Sequence, residues 1–249
     1  MFTFDEAVFH FVEDVPKISG TLKMCSLLAK TLTRLFTILV TACFWGLSSQ
    51  HPVHGLSAST VNTEITNLSK RTTYRPFSGP AHNFPDVATW TRYDYMWNLN
   101  LAALSTSGNT PTDTAYLKAA IDLCANQYHI DRRLILGIIM QESRGNVGVI
   151  TTYSGSLPTA GLMQCSGCPG FPGQHGLSQA DIASMVCGGA EHFKTNMLHW
   201  GDRWSAASVF PALREYNSGN VNEADLSDGR GATASYVSDL ANRVTGWAN

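Results

Sequence analysis

The sequence predicts an all-α domain over residues 86–249, with a small irregular or β element after its central helix. Three observations lead there. An apolar run from Leu134 to Met140 is bracketed by Asp131 and Glu142, segments of helical periodicity lie on both sides of it, and a single stretch rich in Gly, Pro, Ser and Thr, residues 145–176, interrupts them. The apolar run is too long for an ordinary strand and apolar on every side, the pattern of a helix buried among others.

Residues 1–48 read as an N-terminal extension and signal peptide. Lys30 and Arg34 precede an apolar run from Leu35 to Leu47, followed by small and polar residues. That order marks an export signal, and the run is short of the roughly 20 residues a membrane span needs. Met24 is a second candidate start. Residues 49–85 are rich in Ser, Thr, Pro and Asn, lack periodicity, and are expected to be a linker or prosegment; Asn67-Leu68-Ser69 is a glycosylation sequon. Trp90 to Leu104 opens the expected domain as a helix whose aromatics suit core packing. Asp113 to Tyr128 follows, with Leu117, Ile121, Cys124 and Tyr128 on one helical face. Asp131 is the expected N-cap of the central helix, which ends near Glu142. After the irregular stretch, Ser178-Gln-Ala-Asp181 resembles a capping box before a helix to about Trp200. Trp204 to Tyr216, with Pro211 inside, and Ala232 to Trp247 complete the set.

Composition narrows the function. Charged residues make up 14% of the chain and the net charge is −2, without the basic stripe of a nucleic-acid binder. Cys25 and Cys43 leave with the signal. Cys124, Cys165, Cys168 and Cys187 remain, an even set that reads as two disulfides in an exported chain, with three connectivities open. Cys165-Ser-Gly-Cys168 alone suits a redox pair or half a zinc site, but no second CxxC or spaced His pair completes one. No metal and no cofactor is expected. G-x-S-x-G, H-E-x-x-H and P-loop motifs are absent. His192 and His199, at i and i+7, read as surface histidines.

Four short blocks remain, in this order: Glu142-Ser143, Gly161-Leu162-Met163-Gln164, Glu215-Tyr216-Asn217-Ser218-Gly219, and Tyr236-Val237. Here the chain resembles the lytic transglycosylases of the soluble-lytic (SLT) type and the related goose-type lysozymes, whose blocks read E-S, G-L-M-Q, A-Y-N-x-G and a late Tyr. The resemblance covers roughly residues 113–247 and rests on the first three blocks matching in order. It implies a lysozyme-like helical domain and a glycosidase acting on the β-1,4 bond between N-acetylmuramic acid and N-acetylglucosamine in peptidoglycan. By resemblance Glu142 is the general acid, Ser143 supports the turn, and Met163 and Gln164 line the sugar cleft. Tyr216 hydrogen-bonds near the acid, Asn217 shapes that wall, and Tyr236 completes the substrate-binding set.

The residue types fit that chemistry. A leaving glycosidic oxygen needs a proton, and an acid at the end of a buried helix keeps its proton near neutral pH. No Asp or Glu occurs from Ser143 to Ala180, whereas inverting hydrolysis needs a second carboxylate to activate water. That favours transglycosylation to 1,6-anhydro products over hydrolysis. Two departures from the family stand out: Glu215 replaces a small residue before Tyr216, and a cysteine pair with two prolines follows Gln164. Two further readings keep the same scaffold, a chitin-oligomer hydrolase and a non-catalytic secreted glycan-binding protein. The expected partner is peptidoglycan or a related N-acetylated glycan, met outside the cell by a monomer with no stable membrane span.

Overall fold

The computed structural model describes residues 72–249. The expected signal region, the sequon and residues 49–71 of the expected linker lie outside them. Six α-helices and two short 3₁₀ turns account for most of the described chain: α1 (Tyr93–Thr106), α2 (Pro111–Tyr128), α3 (Arg132–Glu142), α4 (Gln179–His199), α5 (Ala206–Ser218) and α6 (Tyr236–Val244). Between α3 and α4 lies a three-stranded antiparallel sheet, β1 (Thr152–Ser154), β2 (Leu157–Ala160) and β3 (Cys165–Ser166), in the order β1-β2-β3. Thr152 faces Thr159 and Ala160 faces Cys165 in register. The domain is mostly helical, with the small β element where the interruption was expected.

α3 is the centre. Asp131 caps it by accepting from the Arg133 amide, and Leu134 through Met140 are all buried. α1, α2 and α6 pack around it, so no face needs to be polar. Gly137 permits the close approach of α6, because a Cβ there would sit 2.9 Å from Leu240 Cδ1. The helix stops at Glu142, where the chain leaves the core: Gln141 and Glu142 are the first half-buried residues after the fully buried run.

The flanking helices show their sequence signals with shifted ends. α2 begins at Pro111 under a full capping box, Thr110 and Asp113 exchanging bonds, and Leu117, Ile121 and Cys124 are fully buried. At Ser178 the box is altered: its hydroxyl accepts from the Asp181 amide but donates to the Asp181 carboxylate. α5 runs on to Ser218 and closes on Gly219 in the left-handed conformation, φ 67°. α6 starts only at Tyr236, because Gly229 to Ser235 turns on itself. The aromatics before and within α1 are core: Trp90, Tyr93 and Trp97 are buried, and Trp90 meets Phe210 edge-on.

The boundary at residue 86 is corrected. Residues 72–85 are packed onto the domain. Tyr74 donates to Asp239 at 2.8 Å, the Phe77 amide donates to Ser238 Oγ at 2.9 Å, and Arg75 and Asn242 bond each other in both directions. Phe84 is buried between Phe77 and Phe210. Side-chain contacts to α6 hold this strap, and its irregular backbone leaves no periodic trace in the sequence.

Two disulfides are present. Cys124–Cys187 joins α2 to α4, and Cys165–Cys168 closes the turn after Gln164. Among the described residues no helix is long and apolar enough to cross a membrane.

Candidate active site

Glu142 lines an open cleft of about 710 Å³. Gln164 and the hairpin residues Tyr153 and Leu157 also line it, as do Tyr216 and Asn217 at the end of α5 and Arg230 to Ala232 from the segment before α6. Residues far apart in the chain therefore meet, and two hydrogen bonds explain how. Ser143 Oγ, in the turn that ends α3, donates to Leu162 O at 2.8 Å. Tyr216 Oη donates to the next carbonyl, Met163 O, at 2.7 Å. The turn of Gly161 to Gln164 is thus pinned to α3 and to α5 by adjacent peptide oxygens.

That turn reverses sharply, with φ 72° at Gly161 and 46° at Gln164. A left-handed glutamine is costly unless it is held. Its Nε2 donates to Gly161 O and Ile150 O, and its Oε1 accepts from Thr152 Oγ1. The side chain thereby fixes both the turn and the hairpin rim. Met163 points the other way. It is fully buried, packed so tightly on α4 that a Cβ on Gly189 would lie 2.4 Å from its own. Met163 reaches the site only through its carbonyl, and Ser143 is likewise buried beneath the cleft. Both were expected among the substrate-binding residues; both are supports.

Burial raises the Glu142 carboxyl from its ordinary 4.5 to about 7, opposed by Tyr236. The Tyr236 hydroxyl is buried and has no partner of ordinary hydrogen-bond geometry, yet it is close enough to lower the Glu142 pKa. It is a loose contact in the free protein of the kind that tightens when a ligand closes the site. Glu142 in turn pushes the Tyr236 and Tyr216 hydroxyls up, after burial has done most of that. Glu142 therefore has two tyrosine hydroxyls acting on it, and among the described residues no carboxylate or guanidinium is paired with it. Such a group holds its proton near neutrality and can deliver it to a bound oxygen.

Glu215 also lines the cleft, and both its oxygens are engaged. Trp200 Nε1 donates to one at 2.7 Å and His199 Nδ1 lies 2.8 Å from the other. A carboxylate only accepts, so Nδ1 carries the hydrogen in that pair. His192, expected on the surface, is half-buried in the cleft and meets the Tyr216 ring edge-on at 5.2 Å. Burial lowers its pKa, partly offset by Glu215. The i, i+7 spacing carried signal for a shared face, but nothing in the sequence said that α5 would cover it. A small β element was expected here, but that Tyr153 and Leu157 would form a lip of the cleft was not, since strands of three and four residues are too short for alternation to register. Among the described residues, no three His, Cys, Asp or Glu side chains gather as metal ligands would. No family model matches the chain, and no curated protein matches it either.

Proposed function

We propose that this protein is a secreted glycosidase that cleaves the β-1,4 bond between N-acetylmuramic acid and N-acetylglucosamine in peptidoglycan, with Glu142 as acid and then base. One observation carries the reading: an unpaired carboxyl, lifted to about 7 by burial, opens into a cleft whose other carboxylate, Glu215, is already taken by Trp200 and His199. The order of the four motif blocks, read as a resemblance to lytic transglycosylases on a lysozyme-like fold, supplies the substrate class.

In this scheme protonated Glu142 gives its proton to the bridging oxygen as the C1–O bond breaks. The substrate's own N-acetyl oxygen closes on C1 and holds the positive charge. The Glu142 carboxylate, steadied by Tyr236, then takes the proton from the 6-hydroxyl as that oxygen attacks C1 and the bond from C1 to the N-acetyl oxygen breaks, restoring the N-acetyl group and leaving a 1,6-anhydro sugar. No second carboxylate is required, which suits a cleft in which none is free. The two disulfides suit an oxidising, extracellular setting.

Mass spectrometry of fragments released from purified bacterial walls tests the whole scheme. Anhydro-muropeptides are expected. Reducing ends carrying water would convert the reading to a hydrolase. Cleavage of chitin oligomers with walls untouched would move the substrate to chitin, and binding without cleavage would leave a glycan-binding protein.

A further inference from the structure

Arg214 is buried and makes no ion pair among the described residues, although the charge of Asp228 reaches it. It lies on α5 amid apolar residues and is 0% exposed. Among the described residues no carboxylate comes within ion-pair distance, and its Nε has no partner at all. A buried, unpaired cation costs stability, so its surroundings should show what it is kept for.

Its bonds answer that. One terminal nitrogen donates to Asn217 Oδ1 and to Thr233 O at 3.0 Å, and the other reaches Leu226 O at 3.4 Å. The guanidinium carbon also lies 6.0 Å from the centre of the Tyr236 ring. Leu226 and Thr233 belong to residues 219–235, which carry no helix or strand and supply one stretch of the cleft lining. With no ladder to order its backbone, this segment is held by a bond from the Leu226 amide to Gly79 O at 2.9 Å and by side chains, of which Arg214 provides two bonds. The same group joins Asn217, in the cleft, to Tyr236, whose hydroxyl approaches Glu142.

We infer that Arg214 is a positioning residue for the acid: it clamps residues 219–235 against α5 and thereby holds the Tyr236 hydroxyl toward Glu142. The inference rests on Glu142 being the acid for its kinetic consequence alone; the bonds of Arg214 to Asn217, Leu226 and Thr233 and its approach to the Tyr236 ring do not depend on it. Arginine suits this post because its planar fork reaches several acceptors at once while its face stacks on a ring. Lysine offers a point charge and no such fork.

The test is a side-chain NMR titration of the Glu142 carboxyl in the full chain, set beside wall-cleavage kinetics. Tyr236 stabilises the carboxylate, so Arg214→Lys should move the Glu142 midpoint upward, as Tyr236→Phe does. The double variant should show no further shift beyond Tyr236→Phe alone. Turnover should fall by about tenfold at most, no more than Tyr236→Phe costs, because Arg214 acts through that hydroxyl, with KM changed much less. Asn217→Ala loosens the guanidinium at a half-buried position. It should shift the titration the same way by less, which keeps the inference testable if Arg214→Lys fails to fold. An unmoved Glu142 midpoint in a folded Arg214→Lys protein overturns it, as do additive shifts in the double variant; if only Asn217→Ala folds, an unmoved midpoint there overturns it. A wild-type protein that cleaves no glycan while the midpoints still shift together would sink the glycosidase reading and leave the clamp standing.

Discussion

Glu142 and Glu215 each stand near the end of a helix and line the same cleft, yet their neighbours give them opposite tasks. Beside Glu142 stand two tyrosine hydroxyls, one of them spent on Met163 O. Around Glu215 there are two donors within 2.8 Å, from Trp200 and His199. The first carboxyl has little reason to ionise, and the second has both oxygens committed to structure. Residue type and location in a cleft do not assign an acid; the inventory of donors around each oxygen does.

Exchanging the carboxyl for an amide at each site is the sharpest way to break that contrast. Glu142→Gln should cost wall cleavage about 10²–10⁴-fold, the usual worth of a general acid, with glycan binding retained. Equal loss from Glu215→Gln would mean that the donors on Glu215 do not retire it. Tyr236→Phe comes next, at about tenfold, since a hydrogen bond to a charged group is lost while the ring remains. Because Tyr236 holds the Glu142 pKa down, removing its hydroxyl should also shift the alkaline limb of the rate profile upward. That limb is expected near pH 7 in the wild type, where Glu142 loses its proton. A profile that stays put would show that the loose Tyr236 contact has no part in the charged state.

The two sites should also part in stability. Glu142 has a folded pKa above its unfolded value, so the folded state binds the extra proton and loses stability as pH rises from 4.5 through about 7. The full penalty, about 3 kcal/mol, is present only above that window. Glu142→Gln should therefore match the wild type near about pH 4 and exceed it by up to about 3 kcal/mol near about pH 8, as denaturant unfolding at the two values would reveal. Glu215→Gln should change stability least, by under about 1 kcal/mol, because its histidine partner is largely exposed. Its wall-cleavage rate should stay within a few-fold of the wild type.

What was legible in the sequence was whatever local chemistry controls. Asp131 and the apolar run fixed α3 and put Glu142 at its end; Leu117, Ile121 and Cys124 marked α2 by their shared face, though its start was placed at Asp113 and lies at Pro111; the four cysteines announced two bridges without saying which. What escaped depended on partners distant in the chain. The strap of residues 72–85 looked like a linker because Tyr74, Phe77 and Phe84 act one at a time on α6 and the core, with no shared period. Met163 looked like cleft lining because its motif neighbours are; two consecutive reversals of the backbone at Gly161 and Gln164 turn it inward. Nothing local in the sequence singles out Arg214, and only the segment folded over it makes it buried.

The Cys124–Cys187 bridge spans 63 residues of sequence, and within that interval lie Glu142, the hairpin, Gln164 and the smaller Cys165–Cys168 loop. Closing a loop of that size restricts the unfolded chain by about 4 kcal/mol. The interval that carries the acid and its platform is thus a ring nested around a smaller ring, and oxidation sets the time at which it becomes durable. A reduced chain would have the same sequence and the same carboxyl but less stability in the fold that surrounds it.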